Sequence, residues 1–260
     1  MRPTLAAMLA TAALAAWSPA QTGTLRPASQ NAGREIAVPF RVGETLIFDV
    51  AYSTYLVAGT ATSTVVEKRS PEQAYYIVAE GRPLPLIARM FALYYKMDTL
   101  LDSVTGLSQR TSLYTEEGSR RRTAITRFDR GARKALYELQ ATEGAVKDEL
   151  AAPADVQDGL AMLYALRTRT FKPGERFTIP VADDGVLFSV EVEPTGPERL
   201  TTALGELEAW NLKITITDGK GAPAAKNMAV WLSTDARRLP LKLQADLPVG
   251  SFALTLKAVR

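Results

Sequence analysis

Hydrophobic and polar residues alternate along most of this chain. In the stretch RRLPLKLQADLPVGSFALTLK, Leu239, Leu241 and Leu243 alternate with Pro240, Lys242 and Gln244. After a turn, Phe252, Leu254 and Leu256 alternate with Ala253, Thr255 and Lys257. A period of two places each set on one face of a strand, so the pattern predicts a hairpin with an apolar and a polar face. Upstream, Leu46, Phe48, Val50 and Tyr52 share a face. In QAYYIVAEG, Tyr76 and Val78 point one way and Tyr75, Ile77 and Ala79 the other. Turns at Thr105-Gly106, Glu117-Gly118 and Arg130-Gly131 separate further strands. TIPVA and VLFSVEV meet at Asp184-Gly185, a pair suited to a tight primed turn because glycine supplies a positive φ. The spacing predicts about eleven or twelve strands.

Two stretches break the alternation. In PLPLIARMFALYYKM, Leu86, Ile87, Met90, Phe91 and Tyr94 fit helical spacing, which predicts a short helix after Pro85 that plugs the open side of a sheet. PADVQDGLAMLYALRTRTF is the clearer helix: Val156, Leu160, Leu163, Tyr164 and Arg167 recur at helical spacing, with Asp155 as the expected N-cap. A sheet of so many strands curls or closes. The expected fold is therefore mainly β with two short helices, a single curved antiparallel sheet forming a half-barrel or incomplete barrel around the helices. Leu239, Leu241, Leu243, Phe252, Leu254 and Leu256 would face its concave side against Leu160 and Leu163. Those eight side chains are either plain core or the lining of an apolar cavity.

The N-terminus adds a compartment. Arg2 precedes a short alanine-rich apolar run from Leu5 to Trp17, and Ser18-Pro19-Ala20 offers small residues before Gln21. This reads as a secretory signal peptide, too short for a resident membrane span. No cysteine follows it to carry a lipid anchor. The expected organisation is a signal peptide over 1–20, a flexible lead-in over 21–39 and one antiparallel β domain over 40–260, in the periplasm and with no transmembrane span after cleavage.

Composition narrows the chemistry. The chain has 260 residues, 47% hydrophobic and 23% charged, enough to bury a core without staples. It has no cysteine and no histidine. Disulfides, thiolate metal sites and histidine-based nucleophilic catalysis are therefore excluded. A formal net charge of +3 is no argument for a nucleic-acid partner. No phosphate loop, nucleophile elbow or metalloprotease motif is present, and no cofactor is implied.

Some polar clusters need weighing. SRRRTAITRFDRGARK concentrates Arg120, Arg121, Arg122, Arg127, Arg130, Arg133 and Lys134. Alternation puts Arg120 and Arg122 on one side and Arg121 and Arg127 on the other. This is a solvated hairpin whose charges oppose edge-to-edge aggregation, or else Arg120, Arg122, Arg127 and Arg130 contact an anionic lipid headgroup or glycan carboxylate. Asp183-Asp184-Gly185 resembles a metal or acid pair but fits a turn. Glu206 and Glu208 share a strand face without a second ligand cluster. Asp98 and Asp102 would bracket a strand or pair with arginines. Tyr94, Tyr95 and Tyr114 have the polar tips and apolar bodies of a cavity mouth or core edge.

In order along the chain, FRVGETLIFDVAYSTYLVAGTAT, DGLAMLYALRTRTFKPGERFTIPVADDG, LGELEAWNLKI and VWLSTDARRLPLKLQADLPVGSFALTL resemble the exported Gram-negative family of domain of unknown function 3108, across about residues 38 to 259. The closing hairpins also resemble lipoprotein carriers of the LolA/LolB type. That resemblance implies a LolA-like half-barrel whose cavity between sheet and helices takes acyl chains. It carries over no site residues.

Three functions follow as expectations. The first is a non-catalytic envelope protein that binds a lipid, an acyl chain or a lipidated partner in an apolar cavity. The second is an envelope scaffold with a filled core and a protein partner. The third is a carboxylate-based hydrolase, which would need two carboxyl groups about 5–9.5 Å apart across a cleft.

Overall fold

The computed structural model describes residues 34–53, 56–70, 72–89, 93–247 and 250–260. The expected signal peptide lies outside them. Seven strands come first, interrupted by one helical turn: β1 (Thr45–Tyr52), β2 (Leu56–Arg69), β3 (Ala74–Pro83), α1 (Pro85–Ala88), β4 (Leu93–Asp102), β5 (Ser108–Glu117), β6 (Arg120–Asp129) and β7 (Lys134–Ala141). Then come β8 (Gly144–Ala151), α2 (Gly159–Thr168), β9 (Phe177–Asp183), β10 (Val186–Thr202), β11 (Gly205–Asp218), β12 (Lys226–Ser233), β13 (Pro240–Leu247) and β14 (Gly250–Val259).

All fourteen strands form one antiparallel sheet in the order β8-β7-β6-β5-β4-β3-β2-β1-β14-β13-β12-β11-β10-β9. The first and last strands meet in its middle, where β1 pairs with β14. Strand alternation thus gave the fold class but undercounted the strands. GAVKDELA, which forms β8, is mostly exposed and offers only Val146 and Leu150 as an apolar period.

The sheet is not closed by strand pairing. Its edges are β8 and β9, and the connection between them fills the gap. The Gln157 N–H donates to the Pro180 carbonyl and the Ala182 N–H to the Gln157 carbonyl, both at 2.9 Å. Ala152 and Val156 of this connection pack with Ala135 of β7 and Ala182 of β9. The β9–β10 turn then reaches across to β6 and β7. Asp184 and Gly185 both have positive φ, 48° and 74°, as a primed turn requires. A Cβ on Gly185 would lie 3.1 Å from the Tyr137 ring, so glycine also permits the turn to dock there.

Two helical expectations need correction. The helix expected to plug the sheet over Leu86 to Tyr94 is a single turn with no buried residue. Leu86 is exposed and Tyr94 belongs to β4; Met90 and Phe91 lie outside the described residues. The plug is α2, with Leu160, Ala161, Met162, Tyr164, Leu166 and Arg167 all buried. Its N-cap is Asp158, not Asp155: Oδ1 accepts the Leu160 and Ala161 amides at 2.9 Å each. Asp155 is exposed in a turn that the Val156 N–H closes on the Pro153 carbonyl, and Gln157 then bridges the β9 edge, so the helix begins later.

The flexible lead-in also needs correction where it is described. The Ile36 N–H donates to Ser103 O at 2.9 Å, Glu35 pairs with Lys68, and Val38 packs with Phe40 against the core. Apolar Val38 and Ile36 have a surface to bury against, which overrides the low periodicity of the segment.

Candidate functional site

Residues opposite one another in an antiparallel ladder share a face. Val50 is opposite Leu254, Leu254 opposite Leu243, Leu243 opposite Val230 and Val230 opposite Leu212. In the other direction Ala61 is opposite Gly81, Gly81 opposite Tyr95, Tyr95 opposite Thr115 and Thr115 opposite Arg122. These residues trace the concave face, and α2 lies against it at β4 and at β9.

This face has two layers. Around the ends of α2 it is close-packed. Leu239, Leu241 and Leu256 have no exposed surface, nor do Leu46, Val65, Ile77 and Leu212. Farther from the helix, inward positions keep solvent access: Val50, Ala61, Ala79, Tyr95, Met228, Leu243 and Leu254 are only half-buried, as is Leu163 on α2 itself. Leu163 and Leu243 flank one core cluster, Leu243, Leu254 and Ala61 another, and Ala79 and Tyr95 a third. These apolar positions therefore form a partly accessible concave surface above the helix.

The eight expected cavity residues are thus divided. Leu160, Leu239, Leu241 and Leu256 are buried in two separate clusters. Leu163, Leu243 and Leu254 lie in the accessible layer. Phe252 is half-buried beside Ala245 and Leu247, with its ring edge-on to Tyr52 at 5.2 Å.

The four expected anion contacts do not meet either. Arg120 is exposed and within 3.6 Å of Glu143, and Arg127 is within 3.5 Å of Glu138. Arg130 donates to the backbone carbonyls of Ser108, Ala154 and Val156, fastening the β8–α2 connection. Arg122 alone points inward, where it pairs with Asp184; both Arg122 and Tyr137 Oη donate to Asp184 Oδ1, the latter at 2.6 Å. Strand alternation sets Arg127 apart from Arg120 and Arg122, while Arg120 stays exposed at the start of β6 and Arg130 lies in the turn after it.

Polar groups cluster where α2 begins. Thr99 and Ser108 hydroxyls each donate to Asp158 Oδ2 at 2.6 Å. Burial raises the Asp158 carboxyl above its ordinary value, against these donors and the two helix amides. Asp183 lies on the same face as Val181 and Ile179 and is buried. Its Oδ2 has no hydrogen-bond partner among the described residues. Burial first, then the nearby Asp184 and Asp158 charges, push its carboxyl well above the usual range. The Tyr95 phenol is also pushed far up, chiefly by burial and then by these three aspartates.

At the other end of α2, the Arg167 guanidinium grips Glu44 with two bonds of 2.7 and 3.1 Å. It also donates to the Arg237 and Arg238 carbonyls at 3.1 Å. Tyr164 Oη and Ser63 Oγ are 2.9 Å apart. Beside it, Arg238 Nη1 is buried without a hydrogen-bond partner among the described residues.

The other acidic candidates stay on the outside. Asp98 accepts from Ser112 and lies 3.6 Å from Arg110, while Asp102 caps the Val104 and Thr105 amides. Glu206 and Glu208 are exposed. Tyr94 and Tyr114 sit edge-to-face on the convex side. Nearby, a shallow groove of about 330 Å³ runs past Thr62, Thr64, Tyr76 and Lys96. Among the described residues no three acidic side chains are placed to hold a metal ion, and no helix is long and apolar enough to cross a membrane.

An open, fourteen-stranded β-barrel-like sheet with a helical plug and a half-accessible apolar interior defines the class of protein. Residues 47–257 match the family described as Protein of unknown function (DUF3108), and the chain belongs to that family. Its fold is also that of a β-barrel-like protein of domain of unknown function DUF1849 from Brucella abortus, at TM-score 0.55 and 11% identity over 84% of this chain and 97% of that one. Weaker likenesses are to an exported protein with YmcC-like fold from Bacteroides fragilis (TM-score 0.34, 10% identity, 87% of this chain and 100% of that one) and to a lipoprotein from Parabacteroides distasonis (0.36, 8%, with the same coverage). At those scores neither carries an argument. No curated protein matches the chain. The expected likeness to LolA/LolB-type carriers is not among these findings.

Proposed function

We propose that this is a non-catalytic, exported envelope protein that binds a lipid, an acyl chain or a lipidated partner on the concave face of its sheet. One observation carries the reading. Inward apolar side chains above α2, such as Leu163, Leu243 and Leu254, keep solvent access, whereas those around the helix ends are sealed. A sheet built only for stability gains by closing that surface, at about 25 cal/mol per Å² of apolar area removed from water. An accessible apolar face inside a curled sheet is the surface an acyl chain would cover. The N-terminal charge, apolar run and small-residue exit support export to the periplasm. A chain without histidine or cysteine favours binding over covalent or acid–base chemistry.

The test is native mass spectrometry of the mature protein purified from a periplasm, followed by solvent extraction. A stoichiometric acyl species is the expected result. A clean apo mass, unchanged after incubation with lipid micelles, would make the face plain core and move the search to protein partners.

A further inference from the structure

The ligand proposed above needs an end as well as a chain, and the wall beside the apolar layer has a group suited to meet it. Asp183 closes β9 on the concave face. It is 6% exposed, and its Oδ2 lacks a partner among the described residues. Buried polar atoms are ordinarily paired, and leaving a buried oxygen unpaired is costly. The Asp184 amide acts on this carboxyl, but the Asp184 side chain is held by Arg122 and Tyr137 from the opposite side of the gap, and Oδ2 stays unpaired. Asp158 is likewise committed to Thr99, Ser108 and the first amides of α2.

We infer that Asp183 is the polar anchor of the ligand site, donating a hydrogen bond from its carboxyl to an uncharged oxygen, such as an ester carbonyl or hydroxyl, at the head of a long-chain molecule. This rests on the reading of the concave face as a binding surface. The raised affinity of Asp183 for its proton supplies the donor. The surrounding charge selects the head. Three carboxyl groups, Asp158, Asp183 and Asp184, act on Tyr95, and Arg122, which reaches this wall, is already paired. A carboxylate or phosphate head would bring a further negative charge into a desolvated acidic environment, whereas a glyceride head would not. The inferred ligand class is therefore a neutral acyl ester or long-chain alcohol rather than a free fatty acid.

Three probes test this by fluorescence and competition on the purified protein: diphenylhexatriene, which has no head, 1-monooleoylglycerol and oleate. Monooleoylglycerol should displace diphenylhexatriene about tenfold more effectively than oleate, the scale of one buried hydrogen bond. Asp183→Leu should lose that tenfold advantage while still binding diphenylhexatriene, and Asp183→Asn, which keeps an uncharged donor, should retain most of it. In wild-type protein the infrared carbonyl band of a protonated carboxyl should shift on adding monooleoylglycerol, and that band should be missing in Asp183→Asn. Equal binding of the two lipids, or no infrared shift in wild type, would overturn the anchor while leaving the binding face intact. Failure of diphenylhexatriene and both lipids to bind would overturn the binding face and the anchor together. Should Asp183→Leu not fold, the wild-type selectivity and the infrared difference against Asp183→Asn still decide.

Discussion

The two ends of α2 are finished differently. At its C-terminal end Arg167 makes four hydrogen bonds, to both Glu44 oxygens and to the carbonyls of Arg237 and Arg238, beside side chains with no exposed surface, and the one unpartnered group described there, Arg238 Nη1, is sealed among them. Its N-terminal end is anchored as firmly at Asp158, yet opens toward a wall where the Asp183 Oδ2 is unpaired and Tyr95, Leu163, Leu243 and Leu254 keep solvent access. One sheet supplies both regions. The contrast separates residues that hold the barrel together from residues whose incomplete burial serves stability poorly. Strain or incomplete satisfaction in an otherwise consistent fold concentrates where function resides.

The contrast can be broken by substitution. Leu241→Asp should abolish stable folding, since it puts a carboxylate among fully buried leucines, whereas Leu254→Asp in the accessible layer should leave a folded protein with a lowered Tm. Circular dichroism melts of the pair decide it. If both fail to fold, or both melt normally, the two layers are one.

The Arg167 end is the next target. Arg167→Met leaves Glu44 buried without its partner, and breaking a buried pair from one side costs about 3–5 kcal/mol. Urea unfolding should show that loss. A change within the range of a surface pair, about 0–1 kcal/mol, would mean that the pair is not a keystone.

The smallest effect concerns pH. Asp183 has a raised folded-state pKa, so across the interval above its ordinary value of 3.8 the folded state holds a proton that the unfolded state has released. Its contribution to stability is present below that value and is lost as pH rises toward the folded pKa. Asp158 acts in the same sense, and Asp102 and Asp235, whose pKa values are lowered, in the opposite one. Removing the one group isolates it: the stability of Asp183→Asn relative to wild type should increase from pH 4 to pH 7. A flat difference would place Asp183 as an ordinary ionised carboxylate.

Much of this was legible in the alternation of side chains. The β class, the curled sheet, the Asp184-Gly185 turn and the placing of Arg127 on the face opposite Arg120 and Arg122 all follow from strand alternation and the residues that interrupt it. The period also places Phe177, Ile179, Val181 and Asp183 on one face, a signal that the turn reading of Asp183-Asp184-Gly185 obscured. The site is less legible, because partial access is a property of several strands together. Leu239 and Leu243 occupy equivalent positions in one alternating run, yet one is sealed and the other is not.

By itself, the sequence determined the strand periodicity, the apolar face, the absence of thiol and imidazole chemistry and the segments that resemble one family, since each is fixed by residue type and local spacing. Only the tertiary structure decided that α2 rather than α1 fills the sheet, that Asp158 rather than Asp155 starts it, that Arg122 turns inward to a turn 62 residues away, and that Asp183 is buried with an oxygen to spare. Those outcomes depend on which distant strands curl into contact and how much surface they leave uncovered, and no local pattern contains that quantity.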